Sequence, residues 1–237
     1  MGMSKSFLTS LAGTRASCSP ATREQDGTHA GATGGFTLIE LLAVLLILSI
    51  LVTFLVRSVR SAQRSVEVGN TKALIQTISG LVEEYYNEFQ RFPPSTFPAS
   101  LNPKPNRINM GVEMLVISLW RQGRPWQAAD IGEGALGNTD QDSTKTSLTR
   151  FSSPDAFELI DVWGNPLAYI HRRDYEKEIH YLTIDEVGLD IEGPVKGHIS
   201  RKTGDPHRKS SFQIISAGPD GIFGNADDIA NFEIERD

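Results

Sequence analysis

The chain predicts an α+β fold, one long N-terminal helix followed by a small antiparallel sheet. Three observations predict it. An apolar run covers Phe36 to Val56. Apolar residues then recur at spacings of three and four, with no proline before Pro93. Short strand-like segments separated by turn residues fill the C-terminal third. With 237 residues and a formal net charge of −6, there is room for one modest domain plus accessories. The single cysteine, Cys18, allows no intrachain disulfide, so the fold must hold without staples.

Residues 1–35 are rich in Ser, Thr, Gly and Ala, with Lys5, Arg15 and Arg23 as their basic residues, and carry no helical or strand period. They read as a processed leader. Cys18 lacks the preceding apolar run that a lipid-modified cysteine requires. From Phe36 to Val56 only Thr37, Glu40, Ser49 and Thr53 interrupt the apolar residues. At the α-helical rise this run is about 30 Å long, one hydrocarbon core. A soluble core helix would show a polar face, and this one has none of any width. Residues 36–56 therefore read as a transmembrane or assembly helix.

Residues 57–92 continue the helix in amphipathic form. Leu74, Ile78, Leu81, Val82, Tyr85 and Phe89 make one stripe, while Arg57, Arg60, Arg64, Lys72, Glu83, Glu84 and Glu88 supply the wet faces. Gly69 and Gly80 weaken it, and "RFPPSTFP" ends it, because proline cannot continue the hydrogen-bond ladder.

Residues 93–237 read as the globular domain. Within the proline- and glycine-punctuated stretch 95–155, "NMGVEMLVISLW" predicts a short helix. Asn109 stands at its N-cap, with Val112, Leu115, Val116 and Leu119 on one side. "GEGALGNTDQDSTKTS" reads as loop. Strands are expected over 157–160, 167–171, 179–184 and 212–216, with 185–209 as a glycine-rich connection, basic towards its end.

Glu40 is out of place in an apolar helix unless a positive partner lies at the same depth. Cleavage between Gly35 and Phe36 would create one, a free α-amino group that in a staggered bundle reaches the Glu40 of a neighbouring subunit. "GGFTLIELLAVLLILSIL" resembles the prepilin-type cleavage and methylation motif of type IV pilins and type II secretion pseudopilins. The resemblance implies cutting after Gly35 by a prepilin peptidase, N-methylation of Phe36, and Glu40 as the assembly glutamate. Many members carry a proline late in the apolar half, and this chain has none. Arg57, Arg60, Arg64 and Lys72 follow the span, whereas Arg23 alone precedes it closely. The positive-inside rule by itself places the domain in the cytoplasm. The motif implies the opposite, since that peptidase acts on the cytoplasmic face.

"SAGPDGIFGNADDIANFE" gathers Asp220, Asn225, Asp227 and Asp228 among glycines. Hard cations such as Ca²⁺ bind six to eight oxygens, mixing carboxylates with the backbone carbonyls that glycines help to present. The spacing is not that of an EF-hand, and on spacing alone a solvated acidic turn is an equal reading. "DVWGNPLAYI" followed by "SAGPDGIFGNADDI" resembles the C-terminal half of the major pseudopilin of type II secretion, whose members bind calcium in such a loop. The resemblance implies Asp220, Asp227 and Asp228 as side-chain ligands, with Asn225 beside them, although Val162 stands where proline is common. Trp163 and Pro166 read as core and turn.

Enzymatic signals are missing from the sequence. His171, His180, His198 and His207 are scattered, with no HExxH helix and no nucleophile elbow. The basic residues Lys196, His198, Arg201, Lys202, His207, Arg208 and Lys209 follow Asp185, Glu186, Asp190 and Glu192 in an acidic chain without interleaved aromatics, so no nucleic-acid partner is expected. The expectation is a non-enzymatic subunit of a pseudopilus-like helical homo-oligomer. It would be single-pass in the inner membrane with its domain in the periplasm. Its partners would be minor pseudopilins, the prepilin peptidase and methyltransferase, and an inner-membrane assembly platform driven by a cytoplasmic ATPase. The alternative is a type IV pilin or minor pilin for adhesion, motility or DNA uptake.

Overall fold

A computed structural model describes residues 35–101 and 105–235. The leader expected over 1–35 lies outside them apart from Gly35. The chain divides into one unit ending at Leu51 and another beginning at Val52.

Helix α1 runs Leu38–Phe89, within the expected segments 36–56 and 57–92, and passes Gly69 and Gly80 without a break. It is long and apolar enough to cross a membrane, and its large apolar residues from Leu38 to Val56 are all exposed. Beyond Val56 the stripe appears as expected. Ile78, Leu81, Val82 and Tyr85 are buried, Leu74 and Phe89 pack partly against the core, and Thr71 and Ile75 join the buried face. The helix stops where Gln90 turns left-handed (φ 55°), its N–H bonded to the Tyr86 carbonyl at 2.7 Å. The Tyr169 hydroxyl then donates to the Pro93 carbonyl at 2.6 Å and pins the exit of the chain onto the sheet.

Helix α2 (Met110–Leu119) carries the predicted face of Val112, Leu115, Val116 and Leu119, but every residue from Gly111 to Leu119 is buried. Gly111 is the close-approach point. A Cβ there would lie 2.3 Å from both the Tyr169 carbonyl and the Tyr181 hydroxyl. Asn109 stands at the cap position, yet it is left-handed (φ 56°) and its side chain makes no cap bond. Its amide is used elsewhere in the domain.

The strands are β1 (Leu136–Gly137), β2 (Glu158–Leu159), β3 (Ala168–His171), β4 (Ile179–Ile184), β5 (Asp190–Val195), β6 (Phe212–Ser216) and β7 (Ile229–Ala230). They form three small antiparallel sheets, ordered β1-β2, β3-β6-β7 and β4-β5, instead of one. Strand β6 is the central strand of its sheet and is buried along its whole length. Strand β4 alternates, with Ile179, Tyr181 and Thr183 inward and His180 and Ile184 outward. Its partner β5 falls in the stretch expected to be a loop. It includes Gly193 and Pro194, which suit an edge strand and suppress the strand signal. One core joins α1 from Ile75 to Tyr85, α2, and Tyr169, Ile170, Phe212, Ile214 and Ile215 of the sheet.

Candidate functional site

Three places gather the candidate side chains. The first is the start of α1. Thr37 precedes the first helical residue, and its hydroxyl accepts the Glu40 N–H at 3.3 Å. Glu40 Oε2 in turn accepts the Thr37 N–H and the Thr37 hydroxyl, each at 2.8 Å. This is a reciprocal capping box, which satisfies two backbone donors that the helix start leaves open. The motif Thr-x-x-Glu is written in the sequence at 37–40, so Glu40 has a local structural partner besides the intersubunit one expected for it. Phe36 is exposed beside it.

The second place is the C-terminal loop between β6 and β7. A 3₁₀ turn over Gly218–Asp220 leads into it, and Gly218, Gly221 and Gly224 all have positive φ. A Cβ on Gly221 would lie 2.3 Å from the Ile184 carbonyl, so the loop docks closely on the end of β4. The Thr183 hydroxyl adds a 2.6 Å bond to the Gly221 carbonyl. The four expected ligand residues do lie together, but they answer one another and the backbone. Asp220 accepts the Ile222 N–H at 2.9 Å and the Asn225 amide at 2.7 Å, and the Asn225 oxygen accepts the Asp227 N–H at 3.1 Å. Asp227 lies 3.8 Å from Arg64, and burial, then the charge of Asp220, raises its pKa. Asp228 is buried. One of its oxygens accepts the Gly224 N–H at 2.8 Å and lies 3.4 Å from His198 Nε2, while the other has no partner among the described residues.

The turn "DVWGNP" supports this loop from below. Asp161 Oδ1 accepts the N–H groups of Trp163 and Asn165, and its Oδ2 accepts the Ser216 hydroxyl at 2.6 Å. Trp163 packs partly on the core and donates to Glu67 at 3.3 Å, in keeping with the core-and-turn reading.

The four histidines of the domain do not converge on one site. His180 pairs with Glu192, His171 accepts the Arg173 N–H, and His207 stacks on Phe232, which His198 also touches. Of the basic residues near the C-terminus, Lys196, Arg208 and Lys209 form ion pairs with Glu178, Glu83 and Asp205.

The third place was not anticipated from the sequence. Glu113, in the first turn of α2, meets Asp140 and Glu158 so closely that ligand oxygens of the three lie within 4.8 Å of one another. Among the described residues this is the group of three such side chains that satisfies the spacing. Glu113 is 0 % exposed, and neither of its carboxylate oxygens has a hydrogen-bond partner. Glu158, equally buried, accepts the Asn109 amide and the Thr139 N–H, each at 2.7 Å. Asp140 accepts the Asn106 amide at 2.8 Å, and Asp142 Oδ2 accepts the Asn106 N–H at 2.8 Å, leaving Asp142 Oδ1 buried without a partner. Burial, followed by the charges of Asp142, Asp140 and Glu158, pushes the Glu113 pKa up to about 11. Burial raises Glu158 to about 7 against the Thr139 and Asn109 bonds, and burial with Asp140 raises Asp142 to about 6. The alternating acids of "NTDQD" were the one signal available. The burial of Glu113 has no local signature.

No family model, curated protein or solved structure matches the chain.

Proposed function

We propose that the chain is a pilin-like structural subunit of a type II secretion pseudopilus, cut after Gly35, methylated on Phe36 and held in the inner membrane by the first half of α1. In this reading the domain faces the periplasm, and the subunit joins a helical homo-oligomer with minor pseudopilins through an inner-membrane platform. The observation that carries it is Glu40, one turn after Gly35-Phe36, on a helix whose apolar residues to Val56 lie exposed. Such a surface needs lipid or other helices to cover it. The C-terminal loop supports the same reading. The positive-φ glycines, the mutual repulsion acting on Asp227 and the unpartnered oxygen of Asp228 suit a calcium ion held by Asp220, Asp227 and Asp228, with Asn225 beside them.

The test is the N-terminus of the protein in its native membrane. Mass spectrometry is expected to find methyl-Phe36 as the first residue, and Gly35→Ala is expected to leave the precursor uncut. Assembled protein that retains residues before Phe36 overturns the reading. Glu40 needs a finer probe because of its capping box. Glu40→Gln keeps a capping-box residue and removes the charge, whereas Glu40→Leu removes both. If charge pairing drives assembly, both variants insert and neither joins wild-type filaments. If Glu40→Gln assembles normally, the glutamate serves the helix cap alone.

A type IV pilin or minor pilin remains the second reading, favoured by the same N-terminal motif. Neighbouring genes for a secretin and secretion-type assembly proteins, as against retraction machinery, separate the two.

A further inference from the structure

Four carboxylates from three parts of the domain converge beneath the N-terminus of α2. Glu113 comes from the helix, Asp140 and Asp142 from the loop before β2, and Glu158 from β2 itself. Among the described residues, no lysine, arginine or histidine forms an ion pair with any of them. A carboxylate removed from water needs a charge partner or hydrogen-bond donors, and Glu113 has neither.

We propose that Glu113, Asp140 and Glu158 hold a hard divalent cation of the calcium class, which fastens the loop at 138–142 to α2 and β2. The spacing fits one shared ion. Two oxygens each 2.3–2.6 Å from the same calcium can be at most about 4.6–5.2 Å apart. The three ligand oxygens lie within 4.8 Å of one another. Glu113 contributes an oxygen to this group, neither of its oxygens has a partner, and the buried Asp142 Oδ1 is a further acceptor in the same loop. The donor set is all oxygen, the preference of calcium, magnesium and manganese, and it offers no thiolate or imidazole to a softer metal. Calcium suits it better than magnesium, which keeps several waters in strict octahedral geometry and is seldom held by an all-protein set of oxygens. Burial first, and the neighbouring carboxylates after it, raise the pKa values of Glu113, Glu158 and Asp142. These residues are distinct from those of the C-terminal loop, so the site stands or falls apart from the pilin-like reading.

The experiment uses the full chain in detergent, stripped with chelator. Bound calcium per chain and thermal midpoint are measured with calcium and with chelator for wild type, Glu113→Gln, Asp140→Asn and Asp220→Asn. Glu113→Gln and Asp140→Asn are each expected to bind one calcium fewer than wild type, or to bind it at least tenfold more weakly, and Asp220→Asn to keep that ion. In chelator Glu113→Gln is expected to melt close to wild type, because burial already keeps the Glu113 carboxyl protonated there, and to gain less from calcium. Should Glu113→Gln not fold, Asp140→Asn at its half-buried position reads the same stoichiometry. Wild-type stoichiometry and calcium response in both variants overturn the site, leaving a cluster of carboxyl groups that share protons.

Discussion

The two acidic loops of the folded domain are made of the same residue types and are treated oppositely. In the C-terminal loop, Asp220, Asn225 and Asp228 are met by N–H donors from residues two to five positions away, and glycines at positive φ allow those tight returns. In the loop at 138–142, Asp140 faces carboxylates from α2 and β2. The side chains of Asp140 and Asp142 take donors from Asn106, more than thirty residues earlier in the chain, with only the Asp142 N–H reaching Asp140 locally. The local cluster answers most of its own acceptors and leaves one buried oxygen, Asp228 Oδ1, without a partner, whereas the cluster made by tertiary packing leaves both oxygens of Glu113 and one of Asp142 without one. The number of acidic residues says little about whether a loop needs a ligand. How the fold supplies donors to them decides it.

The largest effect that tests this contrast belongs to Asn109. Its amide donates to Glu158 and Thr139, its oxygen accepts the Leu182 N–H at 3.0 Å, and its backbone is left-handed. Asn109→Ala is expected to lower unfolding free energy by about 4 kcal/mol, from lost buried hydrogen bonds and a left-handed alanine. Chemical denaturation checks it, and a cost below about 1 kcal/mol would mean that the donors do not hold the internal cluster. Next comes Gly221→Ala, where the added methyl meets the Ile184 carbonyl at positive φ. A loss of about 3 kcal/mol is expected, because backbone on both sides must move. The same change at Gly224, where a Cβ meets nothing within 4 Å, retains only the conformational part, about 1 kcal/mol. The smallest effect is expected at Asp220→Asn. The amide oxygen can still accept the Ile222 N–H, and the Asn225 amide loses its acceptor only at a half-exposed position, so stability should shift by about 0.5 kcal/mol in chelator. A large loss there would show that the C-terminal loop depends on charge as the internal cluster does.

These differences explain what could be read from the chain. The long helix was legible because its signals are local, an apolar run, then a stripe at helical spacing, then two prolines. Thr71, Ile75 and the partly buried Val68 were missed on its inner face, and Thr71 is polar, so no apolar stripe could have included it. The left-handed glycines at 218, 221 and 224 were legible as a turn-rich loop. Strand β5 was hidden by Gly193 and Pro194. Glu113 was hidden by its neighbours. A helix with one apolar face would leave the position after Val112 in water, but α2 is covered on every side, and that enclosure comes from elements far along the chain. The capping box at 37–40 is a different case. It is written in four consecutive letters, Thr37 to Glu40, and gives Glu40 an ordinary hydrogen-bonding use beside its charge.

The amide of Asn109 also bears on how the domain folds. Its three bonds reach Thr139, Glu158 and Leu182, which lie 30, 49 and 73 residues away. None can form until long stretches of chain have closed on themselves, and contacts of that span slow folding because closure entropy is lost before they can offset it. The start of α2 therefore becomes secure late, after β2 and β4 have arrived. Truncation or pausing of synthesis anywhere before residue 182 leaves this helix with its anchor unmade and its apolar surface open to aggregation.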